Sequence, residues 1–65
     1  MKFTSIAHCE RSNFQVDYSG GRSGCIFDFE NWCWENNVIW AHLFEESTGE
    51  LVHTFKRELS HEQNS

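Results

Sequence analysis

The clearest pattern near the N-terminus is a strict alternation of apolar and polar residues over positions 13–18. Phe14, Val16 and Tyr18 fall on one side and polar residues on the other, which is the period of two that a half-buried strand shows. A weaker alternation over 2–8 favours another strand before it. Three glycines within 19–24 then interrupt the pattern, since glycine adopts left-handed backbone at little cost. The first third of the chain is therefore predicted to form two strands followed by a turn.

The middle of the chain, residues 25–45, allows two interpretations. In the first, residues 25–34 and 38–45 are strands joined by a tight loop at Asn36 and Asn37, because asparagine tolerates the left-handed conformation. In the second, a helix runs through 29–44, but it would place both asparagines in its interior and crowd three tryptophans, which is poor for helix propensity. We therefore favour the hairpin.

This hairpin has two different faces, because directly opposed residues share a side of the sheet. One face carries Phe27, Phe29, Cys33, Trp40 and Phe44. The other carries Asp28, Glu30, Trp32, Trp34, Ile39 and Leu43.

The C-terminal third adds one more turn and strand. Residues 46–49 predict a turn with glycine at the position that needs positive φ, and residues 51–55 a strand. The expected register sets Phe44 against Leu51, His42 against His53 and Trp40 against Phe55, because it keeps large apolar residues together. The predicted fold class is all-β, with α+β as the alternative: about five short antiparallel strands in meander order, in a curled sheet or small barrel. We expect one domain over residues 1–58 and a polar tail over 59–65.

Composition and charge narrow the function. The 65 residues include six Phe, three Trp and one Tyr, enough aromatic area to give so short a chain a core. Ten acidic residues against five basic ones give a net charge of −5, which argues against a general binder of duplex nucleic acid. Between Arg22 and Lys56 lie six acids and no Lys or Arg. These acids either form an ordinary solvated surface or dock on the basic surface of a partner.

The tryptophans among these acids also have two interpretations. A β-bulge near residue 30 would turn Trp32 and Trp34 inward. Otherwise they form an apolar, acid-rimmed contact surface, since tryptophan is enriched at binding hot spots and monomers rarely expose large apolar patches. That surface would be covered by the partner or by a second copy of the chain in a homodimer. The predicted partner-binding residues are Asp28, Glu30, Trp32, Trp34, Glu35, Glu45 and Glu46.

Signals for other chemistry are weak. Cys33, His42 and His53 are candidate metal ligands, but their spacing matches no recognised zinc pattern, and we expect no cofactor. No nucleophile, phosphate-loop or metalloprotease motif is present, so an enzyme is not expected. The three cysteines are expected to be free thiols, and without a signal peptide or membrane span the chain is expected to be cytoplasmic.

These observations predict a non-enzymatic, small acidic protein-binding module. It would inhibit or modulate a larger protein with a basic surface, such as one that handles nucleic acid. Phages and mobile elements often encode proteins of this size and charge against host defence. The alternatives are a metal-binding regulatory domain and a single-stranded nucleic-acid-binding β-barrel.

Overall fold

The computed structural model describes residues 1–57, which form four strands and one helix. In chain order these are β1 (Lys2–His8), β2 (Asn13–Ser19), α1 (Arg22–Glu35), β3 (Trp40–Glu45) and β4 (Leu51–Lys56). The strands make one sheet in the order β2-β1-β3-β4, and each neighbouring pair is antiparallel. Strands β2 and β3 therefore run in the same direction on either side of β1, and α1 connects them. The antiparallel, β-rich fold class predicted from the sequence is confirmed in its α+β form.

Two details of the predicted fold are wrong. The segment 25–34 is helix, so residues 1–57 contain four strands rather than five. The strand order is not a meander, because β1 lies between β2 and β3. The sheet is open, which agrees with the curled sheet and not with the small barrel of the prediction. The predicted tail, 59–65, lies outside the described residues.

The helix forms because one narrow stripe of it is apolar and buried. Cys25, Phe29 and Cys33 recur every four residues, and all three are buried, which matches the spacing of one helical face. This stripe is hard to recognise in the sequence because two large aromatic residues, Phe27 and Trp34, lie on the opposite side of the helix. All four strands contact the helix, and β1 contributes Phe3 and Ala7, both buried, to the core. The core is completed by Val38, Ala41, Leu43 and Phe55.

The asparagine pair ends the helix instead of turning a hairpin. Asn37 has a φ of 55°, the left-handed conformation that commonly follows a helix C-terminus. The Val38 N–H then donates to the Cys33 carbonyl at 3.1 Å, and Asn36 Nδ2 donates to the Trp32 carbonyl at 2.8 Å. Asparagine does adopt the left-handed conformation here, as the sequence predicted, but it ends a helix and does not form a hairpin loop.

The β3–β4 register is partly as predicted. Phe44 pairs with Leu51, but a bulge between Leu43 and Phe44 shifts the rest of the ladder. Its other pairs are Leu43 with His53, His42 with Thr54, Ala41 with Phe55 and Trp40 with Lys56. The predicted pairs of His42 with His53 and of Trp40 with Phe55 are therefore wrong. A bulge adds one unpaired residue to a strand and turns the following side chains to the other face.

The sorting of apolar residues into two hairpin faces is also wrong. Leu43, which was assigned to one face with Trp32 and Trp34, is fully buried, whereas Phe27 and Trp40, assigned with Phe29 to the other, are 66% and 39% exposed, and Leu51, predicted to pair with Phe44, is 50% exposed. The helix turns Phe27 to solvent, and it covers only one side of the sheet. Trp40 and Leu51 lie on the uncovered side.

Candidate binding faces

The outward side of α1 is the first candidate site. Its five exposed residues between positions 27 and 35 lie outside the buried stripe, and we call them the helix face: Phe27, Asp28, Asn31, Trp34 and Glu35. Phe27 and Trp34 lie seven residues apart on one stripe, roughly 10 Å along the axis. Asp28 and Glu35 form a second stripe beside it. The helix face thus combines two exposed aromatic rings with two carboxylates.

Trp34 is exposed but held in place. Its ring packs edge-on against Phe55 with centroids 5.2 Å apart. The Arg57 guanidinium lies 4.6 Å from its ring centroid, within the range of a cation–π contact. The indole therefore presents 54% of its surface to solvent in a fixed position, which lowers the entropy lost when a partner binds.

Arg57 fixes this end of the helix as well. Its Nε donates to the Val38 carbonyl at 3.0 Å. One terminal nitrogen lies 3.3 Å from the carbonyls of both Cys33 and Trp34. Helix C-terminal carbonyls lack partners within the helix and carry partial negative charge. Arg57 supplies donors and a positive charge there, a role that no sequence pattern indicated.

The helix carries its own charges in the unfavourable order. Arg22 begins it and Glu35 ends it, with no acidic residue in the first turn and no basic residue in the last. The helix dipole favours the reverse placement. Residues that oppose a local preference, here the preference of the helix dipole, without stabilising the fold are expected at functional positions. Glu35 is therefore a candidate contact residue.

Two predicted contact residues lie on the flanks of the helix. His53 Nε2 on β4 donates to Glu30 Oε2 at 2.7 Å, so Glu30 ties the helix to the sheet. Trp32 is half-buried and packs edge-on against Phe14 of β2, with centroids 6.2 Å apart. Trp32 is turned towards the sheet by the helix and not by the bulge that we considered.

The remaining predicted contact residues, Glu45 and Glu46, lie at the end of β3, away from the helix face. The Glu46 N–H donates to the Lys2 carbonyl at 3.0 Å. Glu46 also lines a shallow pocket of about 220 Å³, smaller than the usual ligand pocket. Its other lining residues are Lys2, Phe3, Asp17, Tyr18 and Ser19. Of the seven predicted partner-binding residues, the structure thus brings Asp28, Trp34 and Glu35 together. Phe27 and Asn31 were missed, although their spacing from Trp34 is helical.

The candidate metal ligands are separated by the fold. Cys33 is fully buried in the core. His53 faces the helix, whereas His42 lies between Trp40 and Phe44 on the other side of the sheet. Within residues 1–57, no group of three or more metal-ligating side chains converges.

The uncovered side of the sheet is the second candidate site. We call it the open sheet face, and the strand registers arrange its side chains in three rows across four strands. The rows are Asn13, His8, Trp40 and Lys56; then Gln15, Ile6, His42 and Thr54; then Asp17, Thr4, Phe44 and Leu51. All four rings of this face, His8, Trp40, His42 and Phe44, lie on the central strands β1 and β3, and the edge strands contribute polar groups apart from Leu51.

Trp40 is the centre of a ladder of rings on this face. His8 stacks on it with centroids 3.6 Å apart and planes inclined by 20°. His42 follows at 5.1 Å from Trp40, and Phe44 at 6.1 Å from His42. Trp40 stays 39% exposed despite the stack, so part of the indole is accessible to a ligand.

Comparison with known proteins adds no relative. No protein-family model, curated protein or solved structure matches the chain. In the part of the chain that the structure describes, no helix is long and apolar enough to span a membrane.

Proposed function

We propose that this protein is a non-enzymatic binding module that docks its helix face on a larger protein with a basic surface and so inhibits or modulates it. The proposal is based on the exposure of two aromatic side chains, Phe27 at 66% and Trp34 at 54%. They lie on one stripe of the helix, beside Asp28 and Glu35. A helix that binds in a groove presents anchors at positions i, i+3 or i+4, and i+7. Phe27, Asn31 and Trp34 have this spacing.

Charge selects the partner. After Arg22 the helix contains three acids and no Lys or Arg, and the cation beside the helix face is Arg57, which lies over the Trp34 ring. Opposite potentials speed the encounter and exclude partners of the wrong charge. The two rings would supply most of the affinity, because buried aromatic anchors dominate binding energies.

The proposal includes the class of protein expected from size and charge, an antagonist of host defence encoded by a phage or mobile element. A protein that acts by occupying a surface needs no deep cleft. The shallow pocket beside Glu46 is consistent with such a role.

The test compares matched variants in affinity capture from the native host, followed by calorimetry with the recovered partner. Phe27→Ala and Glu35→Lys change only exposed side chains and should fold normally. Each should weaken binding, Phe27→Ala by about 2 kcal/mol if it is a hot spot. Leu51→Ala is the control, because Leu51 is 50% exposed but lies on the open sheet face.

Two results would contradict this proposal. One is recovery of the same partner, with equal affinity, by the parent and by a Phe27→Ala/Glu35→Lys double variant. The other is a chain that captures no protein at all from its host.

A further inference from the structure

We infer that the open sheet face is a second binding site, separate from the helix face, and that it binds a short single-stranded segment of nucleic acid centred on Trp40. The inference is based on the ladder of rings on the two central strands, which consists of His8, Trp40, His42 and Phe44. Exposed rings on the central strands of a four-stranded sheet can stack successive unpaired bases.

The surroundings of Trp40 fit a polyanion better than the rest of the molecule does. Lys56 lies directly beside Trp40 in the register. Arg11 follows β1 in the connection at the same end of the sheet, next to one acid, Glu10, and both are exposed. Asp17 is the acidic member of the three rows; it lies in the row farthest from Trp40 and accepts a hydrogen bond from Thr4. Two cations and one acid, Lys56, Arg11 and Glu10, therefore lie at this end of the sheet, a local balance that differs in sign from the net charge of −5.

The far end of the same face is less favourable. There Lys2 shares the shallow pocket with Asp17 and Glu46, whose charges oppose a phosphate. A bound strand is therefore expected to be anchored at the Trp40 end and to leave the face before reaching Asp17.

The polar rim supplies groups that recognise bases. Asn13 and Gln15 on β2 and Thr54 on β4 flank the rings. Amides and hydroxyls both donate and accept hydrogen bonds, so they can pair with the edges of bases that stack on the rings. The bases of a duplex are already stacked and paired, which hides the surfaces that this site would use.

A second copy of the chain fits the face less well. Stacking two such sheets would bury Lys56, the amides and both histidines against a similar surface. The cores of protein interfaces are instead depleted in charged groups. The face carries Ile6, Trp40, Phe44 and Leu51 as its larger apolar side chains, interleaved with polar ones.

The experiment measures fluorescence anisotropy of short labelled oligothymidylate and oligouridylate on the purified full chain, with a mixed-sequence duplex as comparison. Binding of the single strands should be tighter than that of the duplex. Trp40→Ala should weaken it about tenfold or more. Trp34→Ala, on the helix face, should leave it unchanged. Circular dichroism of both variants establishes that each is folded.

Salt dependence tests the ionic part of the site. If Lys56 and Arg11 each neutralise one phosphate, the logarithm of the binding constant should fall with the logarithm of salt concentration with a slope of about −1.4. Lys56→Ala should reduce this slope by about half.

Several results would overturn the inference. These are no binding of either single strand, binding that Trp40→Ala does not weaken, or a duplex bound as tightly as a single strand. Sedimentation that shows a dimer abolished by Trp40→Ala would assign the face to a second copy instead. The proposed function fails separately, because its variants lie at Phe27 and Glu35.

Discussion

Replacing Arg57 with alanine tests whether this side chain fixes the C-terminal end of the helix to the sheet. In the structure its guanidinium donates to three carbonyls, those of Cys33, Trp34 and Val38, and lies over the Trp34 ring. The Arg57 backbone N–H, which donates to the Ile39 carbonyl at 2.8 Å, is kept in the alanine variant. The substitution therefore removes the side-chain contacts and leaves the extension of β4 intact.

The expected loss is about 2 kcal/mol of unfolding free energy. A hydrogen bond contributes about 0.5–1.5 kcal/mol net, and the lower figure applies here because water can reach part of this helix end. Three such bonds and a cation–π contact of about 0.5 kcal/mol give that total. In a domain of this size the melting temperature should fall by roughly 10 °C.

Urea unfolding followed by circular dichroism at fixed ionic strength measures this loss. Arg57→Lys keeps the charge but lacks the planar fork of donors, so it should recover only a minority of the stability. Arg11→Ala, which removes an exposed cation from a connection, is the matched control and should change stability by less than about 0.5 kcal/mol. An Arg57→Ala variant as stable as the Arg11→Ala variant would refute the assignment. Full recovery by Arg57→Lys would show that charge alone is responsible.

Three other side chains or groups give separate tests. Gly24→Ala should stabilise the fold by about 0.5–1 kcal/mol in the same urea assay, because alanine favours helix and no described atom lies within 4 Å of the added Cβ; a loss of stability would contradict this. In the native protein a disulfide reagent should label Cys9 before Cys25 and Cys33, because both of the latter are buried and burial raises the pKa of Cys33 to about 11; equal labelling rates would contradict it. Burial likewise raises the pKa of Tyr18 from 10.0 to about 12, so the fold favours the neutral phenol. The stability that Tyr18 contributes is complete below pH 10 and is lost as pH rises towards 12; Tyr18→Phe should show a smaller alkaline loss, and an unchanged one would refute the cause.

Local signals predicted the strands well because each depends on neighbouring residues alone. The alternation at Phe14, Val16 and Tyr18 corresponds to β2, and the strand predicted over 51–55 is β4 with one residue added. The turn before β4 contains Gly49 with a φ of 75°, as its position indicated. The bulge between Leu43 and Phe44 was not predicted, because no local sequence signal marks it.

The helix was missed for a different reason. Its buried stripe of Cys25, Phe29 and Cys33 is narrow and contains two small side chains, while the large rings of Phe27 and Trp34 lie outside. Hydrophobic periodicity indicates a helix only when the apolar residues share one side. If exposed aromatic residues contact a partner, as we propose for Phe27 and Trp34, they also obscure the hydrophobic periodicity by which the helix could be recognised in the sequence.

The candidate contact residues were predicted in part, because a run of acids without cations is visible in the sequence whatever the fold. This run placed Asp28 and Glu35, with Trp34 between them in the sequence, among the predicted contact residues, and all three are exposed on α1. It could not separate them from Glu30, whose carboxylate is held by His53, since that contact joins residues far apart in the chain.

Net charge was the least informative property of the chain, because the fold distributes it unevenly. The helix face carries Asp28 and Glu35, whereas two cations, Lys56 and Arg11, lie with one acid, Glu10, at the Trp40 end of the sheet. The net charge of the 65 residues is a single negative number. Applied to the helix face and to the open sheet face alike, it would argue against binding of a polyanion at either. Recognition depends on the groups within a Debye length of the ligand, about 8 Å at physiological salt, a distance smaller than this molecule. An acidic protein of this size can therefore present one face to a basic protein and another to a single strand of nucleic acid.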